Sequence, residues 1–172
     1  PRLGLVHRID KDTSGLLIIA KNEDAKTILG KQFFNKTTKR LYNALVWGNI
    51  PNDEGTITGD LGRDPKDRML FTVFPEGENP NAKYAITHYK VLERFGYATL
   101  VQCRLETGRT HQIRVHMAHL NHPLVGDMVY GPKKQALTED GQMLHAKILG
   151  FVHPATGEYM EFEAPLPPYF EA

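Results

Sequence analysis

The sequence predicts an α+β fold, a mainly antiparallel mixed sheet with a few covering helices, and three observations carry that expectation. Most apolar runs are short, rich in β-branched and aromatic residues, and bounded by Gly, Pro or Asn. Helical spacing of apolar residues is confined to two segments, near residues 22–35 and 109–122. A tight turn at Phe95-Gly96-Tyr97 joins two long strand-like runs into a hairpin.

Taken in order, "GLLIIAKN" reads as a buried strand, being short and apolar between Gly15 and Asn22. Asn22 then caps a helix through about Asn35, with Ala25, Ile28, Leu29 and Phe33 spaced to share a face. Glu23 and Asp24 sit in its first turn, where the helix dipole favours acidic groups. "KRLYNALVWG" returns to strand, and its alternation puts Tyr42, Ala44 and Val46 on one face. From Pro51 to Asn81 the density of Gly, Pro, Asp and Asn implies short strands and long loops. After the hairpin, "RTHQIRVHMAHLN" spaces Ile113, Met117 and Leu120 for a helix that ends before Pro123. Strand-like segments on either side of "HPATGE" close the chain.

A length of 172 residues predicts one domain with a sizeable core, and 41% apolar with 24% charged residues excludes disordered and fibrous classes. No apolar stretch reaches membrane-spanning length, and the first ten residues lack the pattern of a secretory leader. With Cys103 as the single cysteine, a disulfide framework within one chain is impossible, so a reducing compartment, the cytoplasm, is expected. Net charge is only +1, yet it divides unevenly. All 21 Lys and Arg fall at or before Lys147, while four of the 20 Asp and Glu follow it, which leaves the first 147 residues at +5. Arg8 with Lys11, Lys39 with Arg40, residues 63–68, residues 104–114 and Lys133 with Lys134 are the basic positions. Converging in space, they make a phosphate-binding surface; scattered, they are ordinary solvated charges.

Two segments concentrate polar chemistry. In "HRIDKDTSG", Asp10 lies between basic neighbours that favour its anion, and an anionic carboxylate serves as nucleophile, base or metal ligand. Asp12, before Thr13-Ser14-Gly15, better suits an Asx-type turn. In "ETGRTHQIRVHMAHLNHPLVGD", His111, His116, His119 and His122 invite a metal reading, but no carboxylate stands at the interval of helical zinc motifs. Histidines that cap, pack or bond locally are the alternative. Arg109 and Arg114 suit guanidinium tasks: one fork pairs with a buried carboxylate while the other meets phosphate.

"HRIDKDTSGLLIIAK", "KRLYNALVWG", "GRDPKDRM", "ETGRTHQIRVHMAHLNHPLVGDMVYG" and "LHAKILGFVHPATGE" resemble, in that order, the motifs of RluA-family RNA pseudouridine synthases, closest to the branch acting on large-subunit ribosomal RNA. The resemblance implies the pseudouridine synthase catalytic fold and a cofactor-free isomerase that detaches uracil from ribose, rotates it and rejoins it through carbon. By it, Asp10 is the catalytic aspartate, Tyr42 stacks on the target base, and Arg109 pairs with the catalytic carboxylate. Ile113 packs against the base, and Arg8 fills the space that the base leaves in the RNA; His111 and Arg114 complete the expected substrate-binding set. An aspartate there attacks the ribose carbon, abstracts a ribose proton, or adds to the pyrimidine ring; all three routes stay open.

The family normally has strands before this aspartate, often preceded by a small basic RNA-binding domain, whereas this chain begins six residues before His7. The expectation is one catalytic domain over residues 1–172, monomeric, without those parts. "GPKKQALTEDGQ" also looks short, and Ile9 replaces the usual Leu. The competing functions are an RNA-binding fragment without catalysis, a synthase acting on tRNA, and a histidine-based metal hydrolase.

Overall fold

The computed structural model describes residues 4–133 and 141–171. Lys134 and most of "GPKKQALTEDGQ" lie outside the described residues. In chain order the elements are β1 (Ser14–Gly15), α1 (Glu23–Phe34), β2 (Lys39–Trp47), β3 (Glu54–Thr58), β4 (Asp60–Arg63), β5 (Phe71–Phe74), β6 (Ile86–Arg94), β7 (Ala98–Leu105), α2 (Gln112–His119), β8 (Leu144–Val152) and β9 (Tyr159–Glu163), with a 3₁₀ turn at Pro168–Glu171. The main sheet runs β1-β8-β2-β7-β6-β3, and β9 shares with β1 the outer edge of β8. Every pairing is antiparallel except β1 with β8. Strands β4 and β5 form a separate two-stranded sheet. The architecture is the α+β class that the sequence predicts.

Tyr42, Ala44 and Val46, alternate residues of β2, enter one core with Val101, Cys103 and Leu105 of β7 and Ile113 and Met117 of α2. The predicted alternation is thus realised against a real partner face. Helix α1 starts where Asn22 Oδ1 accepts the Ala25 N–H at 2.8 Å. It packs Ala25, Leu29 and Phe33 with Leu149 and Phe151 of β8. Ile28, expected on that stripe, is 41% exposed.

Helix α2 is covered from two sides. Ile113 and Met117 face the main core, whereas Val115 joins Leu61, Ala85 and Phe71 toward the small sheet. A buried polar chain fixes its height. Thr107 Oγ1 donates to Gln112 Oε1 at 2.7 Å, and Gln112 Nε2 donates to the Ile86 carbonyl and to Thr87 Oγ1, each at 2.9 Å. Thr87 Oγ1 meets His116 Nδ1 at 2.8 Å, and His116 Nε2 donates to the Gly59 carbonyl at 3.3 Å. A carbonyl only accepts, so the His116 proton resides on Nε2 and every link has a donor and an acceptor.

One element departs from expectation. Of "GLLIIAKN" only Gly15 is strand, paired through Ser14 and Gly15 with His145 and Ala146, and Leu17 and Ile19 are 40% and 61% exposed. The edge of β8 beyond this point is taken by β9, which pairs with residues Ile148 to Val152. The chain therefore leaves the sheet: Ile18 N–H donates to His7 Nε2 at 3.0 Å, and Ile19 bridges to Leu5.

Candidate active site

The polar stretch 7–15 is a pinned loop. Ser14 Oγ meets His145 Nδ1 at 2.7 Å, and His145 Nε2 donates to the Ala164 carbonyl at 3.0 Å. Gln142 Nε2 donates to the Lys11 carbonyl at 2.6 Å and to Thr13 Oγ1 at 3.1 Å. Gly15 has φ +108°, and a Cβ there would run into the backbone of Ala146, so this close parallel approach requires glycine. The turn assigned to the Asp12 carboxylate is closed through backbone instead: Thr13 N–H donates to the Asp10 carbonyl at 3.0 Å, with Asp12 in the left-handed region at φ 70°. The hydroxyls and the glycine of this segment, met by His145, Gln142 and the backbone of Ala146, thereby hold Asp10 in place.

Asp10 faces Arg114. Arg114 Nη1 is 3.7 Å from Asp10 Oδ2, and the two side chains are 7% and 14% exposed. The rest of the guanidinium is committed to Asp127, with Nε to Oδ2 at 2.8 Å and Nη2 to Oδ1 at 3.1 Å. Burial alone would push the Asp127 carboxyl up, but the Arg114 hydrogen bonds and the N–H groups of Tyr130 and Val129 outweigh it and hold the group below the usual range. Arg114 also lies over the Tyr130 ring at 5.1 Å. A planar guanidinium clamped by a bidentate partner has one orientation, so Asp127 and Tyr130 aim the Nη1 edge at Asp10.

The expected pairing of Arg109 with Asp10 is not what the fold builds. Arg109 Nε donates to the Tyr84 carbonyl at 2.8 Å, and the cation beside Asp10 belongs to Arg114. The reason is helical geometry: Arg109 precedes α2, whereas Arg114 lies inside it with its side chain turned to the loop. Arg114, assigned to substrate, is instead consumed by two carboxylates. One fork does pair with a buried carboxylate, as the residue types suggested, and it is the second arginine.

A cavity of about 580 Å³ opens at Asp10. Arg8, Asp10, Tyr42, Arg109, His111 and Ile113 all line it, together with Arg40 from the strand of Tyr42 and Arg63 and Lys83 from two other segments. Asp10 is the one carboxylate among the described lining residues, set against five Lys and Arg. Tyr42 is 8% exposed, and burial, reinforced by Asp10 and opposed by Arg40, pushes its phenol up to about 12. A β-bulge in the β2–β8 register falls between Leu41 and Tyr42, at the cavity wall. Ile113 is 4% exposed and gives the cavity an apolar surface. His111, in the left-handed region at φ 57° before α2, shares a 2.7 Å hydrogen bond with the Tyr130 hydroxyl.

Two of the other histidines of that segment are engaged away from the cavity. His122 Nδ1 donates to the Trp47 carbonyl at 2.8 Å, and His116 belongs to the chain under α2. No group of three metal-ligating side chains occurs among the described residues. Among the described residues no helix is long and apolar enough to cross a membrane. Asp127, Tyr130, Arg40 and Lys83 were not singled out as site residues from the sequence. The first two carried a local signal in "GDMVYG", an acid after glycine with an aromatic three residues on, but their partner is 13 or more residues away.

Residues 1–119 match the family described as RNA pseudouridylate synthase. The chain is 58% identical over 166 residues to the uncharacterized RNA pseudouridine synthase YlyB of Bacillus subtilis, covering 96% of this chain and 53% of that protein. It is 48% identical over 177 residues to ribosomal large subunit pseudouridine synthase D of Neisseria meningitidis serogroup A, covering 97% of this chain and 46% of that protein. The solved structure of human RNA pseudouridylate synthase domain containing 1 aligns at a TM-score of 0.78 with 30% identity, over 93% of this chain and 67% of that one. The chain spans about half the length of the two bacterial relatives. The matched residues include the loop of Asp10, the strand of Tyr42 and the helix of Arg114, and by that match the chain belongs to the RNA pseudouridylate synthase family.

Proposed function

We propose that this chain isomerises uridine to pseudouridine in RNA, with large-subunit ribosomal RNA as the substrate, and that Asp10 is its catalytic residue. The observation that carries the reading is the Asp10 carboxylate 3.7 Å from a clamped guanidinium, at a cavity whose lining also includes five Lys and Arg, Tyr42 and Ile113. The reaction breaks the bond from ribose C1′ to N1, turns the uracil, forms the bond from C1′ to C5, and moves the C5 proton to N1. Whether the carboxylate attacks C1′, removes a ribose proton or adds to the ring, it must be held beside a base excluded from water, and Arg114 with Asp127 holds it. Extruding the nucleotide costs a few kcal/mol, which stacking of about 1–3 kcal/mol on an aromatic ring and phosphate contacts offset. Tyr42 and Ile113 offer the base an apolar slot; Arg8, Arg63, Lys83 and Arg109 offer the backbone its charge. The name of the Neisseria relative favours large-subunit ribosomal RNA.

We assign the chain to the cytoplasm as a monomer. Support for the compartment comes from its single cysteine, Cys103, which is buried and whose thiol burial pushes up to about 12. The chain and its Asp10→Asn variant are incubated with a large-subunit RNA transcript, and pseudouridine is counted by carbodiimide primer extension. Product with the native chain and none with Asp10→Asn is expected; equal product from both, or none from either, overturns the reading.

A further inference from the structure

Among the described residues two arginines are buried, and the fold treats them differently. Arg114, 6% exposed, is neutralised by Asp127 and Asp10. Arg40, 8% exposed, forms no ion pair among the described residues, and its Nε is buried with no hydrogen-bond partner. A buried cation without a counter-charge is unfavourable, and buried charges are normally paired. Burial accordingly pulls Arg40 down from the ordinary arginine value. What surrounds it is a mould rather than a partner. Its guanidinium lies over the Phe33 ring at 5.3 Å, and Nη1 occupies the place where a Cβ of residue 108 would be, which only Gly108 leaves open.

His7 completes the arrangement. It stacks on the same Phe33 ring at 4.6 Å and 16°. Its Nε2 accepts from the Ile18 N–H, so in the neutral ring the proton is on Nδ1, and Nδ1 is buried with no partner. Burial and the nearby Arg40 charge bring His7 down to about 4, which keeps the ring neutral near pH 7. Arg40 and His7 both line the cavity, and Arg40 Nε and His7 Nδ1 are donors that no acceptor among the described residues meets.

We propose that Arg40, with His7 beside it, is an anion subsite that takes a phosphate group of the nucleotide whose base enters the cavity next to Tyr42. The inference rests on the nucleotide-binding reading above and names a contact within it. A guanidinium matches phosphate in shape and charge. Arg40 stands two residues before Tyr42 on β2, so the anion it binds is attached to the nucleotide at that site rather than to a distant part of the strand.

The test measures binding of uridine, uridine 3′-monophosphate, uridine 5′-monophosphate and inorganic phosphate to the native chain, Arg40→Met and Gly108→Ala, following the Arg Nε–H signals by NMR. For the native chain one monophosphate is expected to bind about tenfold tighter than uridine, as a charged hydrogen bond provides, and to move the Arg40 signal. In both variants that preference is expected to collapse. Inorganic phosphate competing at Arg40 separates recognition of the anion alone from recognition of the joined nucleotide. Gly108→Ala keeps the charge and displaces the guanidinium, so it decides the matter if Arg40→Met does not fold. A native chain without the preference, or folded variants that retain it, overturns the subsite. So does a variant whose only change is the pH profile of turnover, since Arg40 would then act on Tyr42. Pseudouridine formation by the native chain is read separately: product without an Arg40-dependent preference sinks the subsite alone, and the preference without product sinks the catalytic reading alone.

Discussion

Asp127→Asn removes half of the charge that holds Arg114 inside the fold, and urea denaturation should show a loss of about 3–5 kcal/mol, as when one member of a buried pair is deleted. Arg109→Ala breaks one hydrogen bond to the Tyr84 carbonyl at a partly exposed site, and the same measurement should register about 1 kcal/mol or less. The pair of variants distinguishes the arginine that orients Asp10 from the one that does not. Tyr42, with its phenol pushed up to about 12, stays protonated in the working range; turnover should show no inflection from it below about pH 11. His7 supplies a stability term of definite sign. Its folded value of about 4 lies below the unfolded 6.5, so the unfolded chain binds more protons between them. The contribution is complete above 6.5 and is lost as the pH falls toward 4, and His7→Gln should flatten that acid limb in denaturation midpoints.

At the scale of elements, Asn22→Ala deletes the cap that accepts the Ala25 N–H and should cost about 1 kcal/mol in thermal unfolding. Gly15→Ala forces a side chain into φ +108° against Ala146. That strain is worth at least about 1 kcal/mol, and because β1 carries the end of the Asp10 loop, pseudouridine formation should fall more than stability does. Helix α1, strand β2 and the β6–β7 hairpin were legible in the sequence because their signals are local: a cap, an alternation, a turn between two β-branched runs. β1 was not. Whether "LLIIA" pairs depends on who occupies the edge of β8, and its competitor β9 lies more than 140 residues along the chain.

Over the whole molecule, a net charge of +1 conceals a cavity lined by Arg8, Arg40, Arg63, Lys83 and Arg109 with Asp10 as its acid. RNA affinity should therefore fall steeply with salt, and Arg8→Ala should lower the log–log slope by about 0.7, the value of one single-strand phosphate contact. The fold class, the family motifs, Asp10 and Tyr42 as candidates, and the need for a guanidinium beside the acid were all determined by the linear sequence, since residue type and short-range spacing encode them. Tertiary structure alone decided which guanidinium it is, that Asp127 and Tyr130 aim it, and that Arg40 is buried without a counter-charge among the described residues. Those outcomes depend on side chains brought together from strands and helices far apart in the chain, where an ångström of displacement exchanges one partner for another.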